Sequence, residues 1–112
     1  MSRKKRKDKS IRGSGGSKFY VIRCAGCNAP VLLYQKDGPG ALLRMYLDRI
    51  LEPPELAALA DDCATKDDVP NLACPECGAV LAVPMTHESG RLALRVIKGR
   101  LHKTRSDGSF PG

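Results

Sequence analysis

The sequence predicts a small β-rich domain of two short hairpins and a third strand, with a helical insert between the hairpins and a disordered basic tail in front. Three observations predict it. Two Cys-x-x-Cys pairs, Cys24/Cys27 and Cys74/Cys77, are each bracketed by β-prone residues. Between the pairs the apolar spacing changes from a strand period to a helical one. Ahead of the first pair lies a run with almost nothing to bury.

Residues 1–18 hold eight Lys or Arg and one Asp, which is the whole formal net charge of +7, so residues 19–112 balance to zero. Arg3, Lys4, Lys5, Arg6, Lys7, Lys9 and Arg12 precede a Gly/Ser run from Gly13 to Ser17. Such a segment is expected to be disordered, to behave as a flexible linker at its end, and to attract phosphate backbones in a salt-dependent way. The bland alternative is a solubilising tail, or an import address in a eukaryotic source.

Phe19 to Arg23 runs β-prone into the first pair, and Pro30 to Gln35 leaves it, so the two form a hairpin with the cysteines at its tip. Lys36-Asp37-Gly38-Pro39-Gly40 reads as a turn, since it lacks the Gly-x-x-x-x-Gly-Lys pattern of a phosphate cradle. From Ala41 to Leu51, the residues Leu42, Leu43, Tyr46, Leu47, Ile50 and Leu51 recur at helical spacing with Arg44, Asp48 and Arg49 opposite. This predicts an amphipathic helix ended by Pro53-Pro54, and a second short helix from Pro54 to Asp62. The helical insert therefore spans about 41–62, and its stripe either covers the ribbon or meets a protein partner. The acidic stretch from Asp61 to Asp68 reads as a solvated loop, and Cys63 as a spare thiol.

Asn71 to Ala73 leads into the second pair, and Ala79 to Val83 leaves it as a strand. After a turn at His87 to Gly90, Arg91 to Lys98 reads as the third strand. Arg91, Arg95, Lys98 and Arg100 make this end basic and are further candidates for a nucleic-acid contact. The ordered domain is expected over 19–105, with 106–112 frayed.

The four cysteines carry the chemistry. Each Cys-x-x-Cys turn aims two sulfurs at one point, where a tetrahedral ion can clamp the turns together. Pro75 pre-shapes the second turn by fixing its own φ. Gly78 supplies a positive φ after it, and Asn28, which tolerates that conformation, stands at the matching place after the first pair. The alternatives are disulfides, redox catalysis, or inert thiols. A two-residue gap gives strained disulfides, and a redox motif would call for one pair beside a βαβ pattern. His87 and His102 stand outside ligand spacing. No nucleophile–base set and no paired catalytic carboxylates emerge, so no enzyme is expected. No apolar run approaches the length of a membrane span, and no signal peptide is legible at the N-terminus. A reducing, cytoplasmic setting is therefore expected, or a nuclear one in a eukaryote.

With Cys24-x-x-Cys27 and Cys74-Pro75-Glu76-Cys77-Gly78 in place, the chain resembles the zinc-ribbon class, in particular the small, largely uncharacterised zinc-ribbon proteins of bacteria. The resemblance covers roughly 19–35 and 71–98. The second turn matches the usual Cys-Pro-x-Cys-Gly closely, the first in spacing only. The 46 residues between the pairs exceed the usual ribbon loop. The resemblance implies one structural Zn²⁺ held by Cys24, Cys27, Cys74 and Cys77. It also implies an accessory module contacting RNA, DNA or a nucleoprotein complex through the basic tail, with a protein–protein adaptor as the alternative. Rubredoxin, an iron electron carrier, is a competing likeness. Its pattern adds Gly and an aromatic after the first pair, where this chain has Asn28-Ala29.

Overall fold

The computed structural model describes residues 17–37 and 40–111. Eight strands form two antiparallel four-stranded sheets, each built around one cysteine hairpin. In the first sheet the order is β4-β2-β1-β8, with β1 Ser17–Cys24, β2 Pro30–Asp37, β4 Ile50–Glu52 and β8 Leu101–Ser106. In the second it is β3-β7-β6-β5, with β3 Arg44–Tyr46, β5 Leu72–Ala73, β6 Val80–Thr86 and β7 Leu92–Val96. Both expected hairpins are present: β1 pairs with β2 around Cys24 and Cys27, and β5 with β6 around Cys74 and Cys77.

The main core draws on both sheets. Ile22, Leu32 and Tyr34 from the first pack with Met45, Leu81 and Leu94 from the second, all nearly inaccessible to solvent. A smaller cluster of Val21, Leu33 and Leu51 covers the other face of the first sheet, with Phe19 and Phe110 against it. Residues 106–112 read as a frayed end. In the described part, Ser106 Oγ donates to the Ser109 carbonyl at 2.8 Å, and Phe110 packs on that second cluster.

The amphipathic helix expected over 41–51 does not form. The chain instead runs as β3, a single 3-10 turn at Leu47–Arg49, and β4. β3 pairs with β7 of the second sheet and β4 with β2 of the first, so this stretch carries the chain from one sheet to the other. Apolar residues three and four apart arise because the crossing must feed several buried surfaces. Ile50 and Leu51 are adjacent yet belong to the two different clusters, one on each face of the sheet, as successive residues of a strand do. The second expected helix survives as two one-turn helices, Pro54–Ala57 with Pro54 in its first turn, and Leu59–Asp62. Leu56, Leu59 and Ala60 lean on the main core. The strand expected after the two hairpins is β7, but the described residues form eight strands where two hairpins and that strand make five, and β8 was not legible at all.

Candidate metal centre

The two cysteine turns have the same backbone. In the first, the Asn28 N–H donates to the Cys24 carbonyl at 2.7 Å and the Cys24 N–H to the Ala29 carbonyl at 3.0 Å. In the second, Gly78 donates to Cys74 at 3.0 Å and Cys74 to Ala79 at 2.8 Å. The residue that closes each turn has positive φ, 65° at Asn28 and 79° at Gly78, as the sequence implied. Asn28 is the one non-glycine residue among those described with such a conformation.

These turns bring the four sulfurs of Cys24, Cys27, Cys74 and Cys77 within 4.8 Å of one another. Across the two hairpins Cys24 and Cys77 lie 3.7 Å apart and Cys27 and Cys74 3.5 Å apart. A disulfide would need about 2.05 Å, and all five cysteines are free thiols. A tetrahedron with metal–sulfur bonds of about 2.3 Å has edges of about 3.8 Å, so the donor set fits a four-thiolate metal site. The first cysteine of each pair is buried and the second exposed.

The electrostatics point the same way. Burial would raise the Cys74 thiol, but the N–H groups of Cys77 and Glu76, together with the sulfurs of Cys27 and Cys77, outweigh it and bring it down to about 7. The Glu76 and Cys77 N–H groups lie 3.4 and 3.5 Å from that sulfur. The Cys27 N–H, against burial, likewise holds Cys24 below the ordinary thiol range. For Cys27 the Ala29 N–H pulls downward, yet the Cys74 sulfur, burial, and the Cys24 and Cys77 sulfurs push it up to about 12. Four sulfurs this close do not all ionise without a cation between them. A divalent ion there would supply the missing charge and favour the thiolate at every position.

Cys63 is not part of the cluster. Its Sγ lies 3.5 Å from the Asp68 carbonyl oxygen, and burial with Asp68 and Asp62 nearby pushes its thiol up. Of the other candidates, Arg3, Lys4, Lys5, Arg6, Lys7, Lys9 and Arg12 lie outside the described residues. So does part of the expected turn, Gly38-Pro39. Arg91 bonds Asp48 at 2.7 Å and lies 3.8 Å over the Tyr46 ring. Arg95, Lys98 and Arg100 are exposed, and the Arg100 carbonyl accepts from the Ala25 N–H at 2.9 Å, which props the first turn. Sequence reasoning missed His102, whose Nε2 donates to Asn28 Oδ1 at 3.0 Å across 74 residues, a distance no local signal spans.

No protein family, curated protein or solved structure matches this chain. No helix among the described residues is long and apolar enough to cross a membrane.

Proposed function

We propose that the four cysteines hold one structural Zn²⁺, and that the body so stabilised carries the basic segment 1–18 to nucleic acid or a nucleoprotein complex. The sulfur spacing, 3.5 and 3.7 Å across the two hairpins, carries the first half of this reading. Four thiolates close the coordination sphere and leave no position for a water or substrate, so the metal's work is to join the two sheets. A tetrahedral S₄ set takes zinc or iron, and metal analysis separates them. The purified protein is expected to be colourless with about one zinc per chain. A coloured protein with stoichiometric iron would overturn that.

The second half rests on charge. Residues 1–18 hold the entire net +7, and each phosphate they neutralise releases a counterion. Binding to short RNA or DNA should therefore weaken steeply with salt, and neutralising Lys4, Lys5, Arg6 and Lys7 to Gln in the full chain should remove most of it. Wild-type protein that binds no oligonucleotide at low salt would remove this half while leaving the metal reading intact. The adaptor alternative places its partner on the helical insert 41–62, of which the helix over 41–51 is absent, with Leu47, Ile50 and Leu51 buried, while the one-turn helices Pro54–Ala57 and Leu59–Asp62 remain.

A further inference from the structure

Where edge strand β3 of the second sheet passes the end of β2 in the first, the two leave a cavity of about 190 Å³. β4 pairs with β2 only at Leu33 and Tyr34, so beyond it β2 borders this cavity with Gln35, Lys36 and Asp37. Four cationic residues, Lys36, Arg44, Arg49 and Arg91, line it against one carboxylate, Asp37. The excess is local, because residues 19–112 are neutral as a whole.

These cations are not equivalent. Arg49 is bonded to Asp37 at 2.7 Å and Arg91 to Asp48 at 2.7 Å. Arg44 has no acidic partner among the described residues. Strand register sets it directly opposite Arg95, which is exposed and likewise lacks one. Like charges facing each other across a ladder repel, and a shared anion relieves them. Gln35, 1% exposed, has neither carboxamide atom hydrogen-bonded, which leaves a donor of the kind an oxyanion accepts. Tyr46 is already engaged by Arg91 and, edge-on, by His87 at 5.4 Å, so base stacking is not what this site offers.

We propose that this cavity is a phosphate-binding site centred on Arg44, with Arg95 reinforcing it, and that it takes one backbone phosphate of a single-stranded nucleic acid. The proposal rests on the reading of residues 1–18 as a nucleic-acid contact and adds to it a fixed point on the folded body. A guanidinium fork carried on a paired strand matches two phosphate oxygens at once. The body would then set the register of a strand that residues 1–18 only attract.

The test uses the full chain. Arg44→Gln is expected to weaken binding of a short single-stranded RNA about 5- to 10-fold and to lower the salt slope by about one contact. Arg44→Lys should recover part of the affinity. Metal content and thermal unfolding check that both variants fold. In parallel, inorganic phosphate is titrated into wild-type protein and amide NMR shifts are followed at Gln35, Arg44 and Tyr46. Shifts confined to these residues, with the loss in Arg44→Gln, support the site. RNA affinity unchanged in Arg44→Gln overturns it and leaves the role of residues 1–18 standing. If wild-type protein binds no RNA, that role fails, and the phosphate arm alone decides. Cavity shifts then assign the site to a free phosphate compound, and their absence overturns it. Should Arg44→Gln not fold, the phosphate titration of wild-type protein decides in the same way.

Discussion

The two cysteine turns reach one geometry by different means. The second is shaped from within: Pro75 fixes a dihedral, Gly78 adopts φ 79° at no steric cost, and among the described residues no hydrogen bond from a distant element reaches 75–78 apart from the Cys24–Cys77 sulfur contact. The first has neither residue. Its Asn28 holds φ 65° while Arg23 Nη1 donates to the Asn28 carbonyl at 3.1 Å, His102 donates to its side chain, and Ala25 donates to Arg100. A turn can thus be specified by five consecutive residues or by a neighbouring strand. The first turn depends on β8 being in place, and the second does not.

Four measurements would sharpen or break this contrast. The largest effect belongs to the ligands, where the turns should not differ. Cys27→Ser and Cys74→Ser are each expected to lose the proposed zinc and the cooperative unfolding transition. Structural zinc contributes about 10–16 kcal/mol in small domains, comparable with the whole stability of a protein this size. Cys63→Ser should leave metal content and melting unchanged, and metal loss there would put the assignment of four ligands in error.

Next is a bond that joins the two sheets without sulfur, from the Tyr46 N–H to the Tyr34 hydroxyl oxygen at 2.8 Å. Burial pushes the Tyr34 phenol up from 10 to about 12, with the Tyr46 N–H pulling the other way. The folded state therefore favours the neutral phenol. Its contribution is whole below pH 10 and is lost as pH rises from 10 through 12, up to about 2–3 kcal/mol. Denaturation at pH 9 and pH 11.5 should show this slope in wild-type protein and a flatter one in Tyr34→Phe. Equal slopes would mean that the buried phenol does not feel its surroundings as described.

Smaller again is the closing residue of the second turn. Gly78→Ala places a Cβ in a left-handed conformation and should cost about 1–2 kcal/mol, whereas Gly78→Asn, copying the first turn, should cost less. If the two cost the same, the equivalence of Asn28 and Gly78 fails. The smallest effect is expected from His102→Ala, under about 1 kcal/mol, because the bond is exposed. It should speed metal loss to a chelator, and amide exchange should rise at Ala25 to Asn28 while 75–78 stays as it was. Equal change at both turns would end the argument that only the first leans on β8.

The same contrast explains what could be read in advance. Cys74 to Gly78 was legible because every determinant lies within one turn, and pairing Asn28 with Gly78 by position was enough to foresee two matched hairpins. The segment 44–52 was not. Met45, Leu47, Ile50 and Leu51 serve two sheets and two clusters, and their spacing imitates a helical stripe because the crossing turns a corner. β8 stayed hidden for another reason. It is an edge strand, Leu101 its only apolar residue, and its Lys103 and Arg105 are of the charged kind that edges favour. It is identified by partners more than 70 residues away, as in Cys24 opposite Leu101. The four cysteines expected to converge do so, but the cavity at Arg44 exists only once β3 passes the end of β2.

One asymmetry in the sulfur cluster reaches beyond equilibrium. Cys24 and Cys74 are buried, at 1% and 3% exposure, while Cys27 and Cys77 face solvent. Ligand exchange at a closed four-coordinate ion proceeds by an incoming donor attacking from an accessible side, and only one side is accessible here. Chelators, competing soft metals and electrophiles would all arrive at Cys27 and Cys77 first. The centre would then be thermodynamically deep yet kinetically one-sided, and mono-alkylation under limiting reagent would mark those two residues before either of the others.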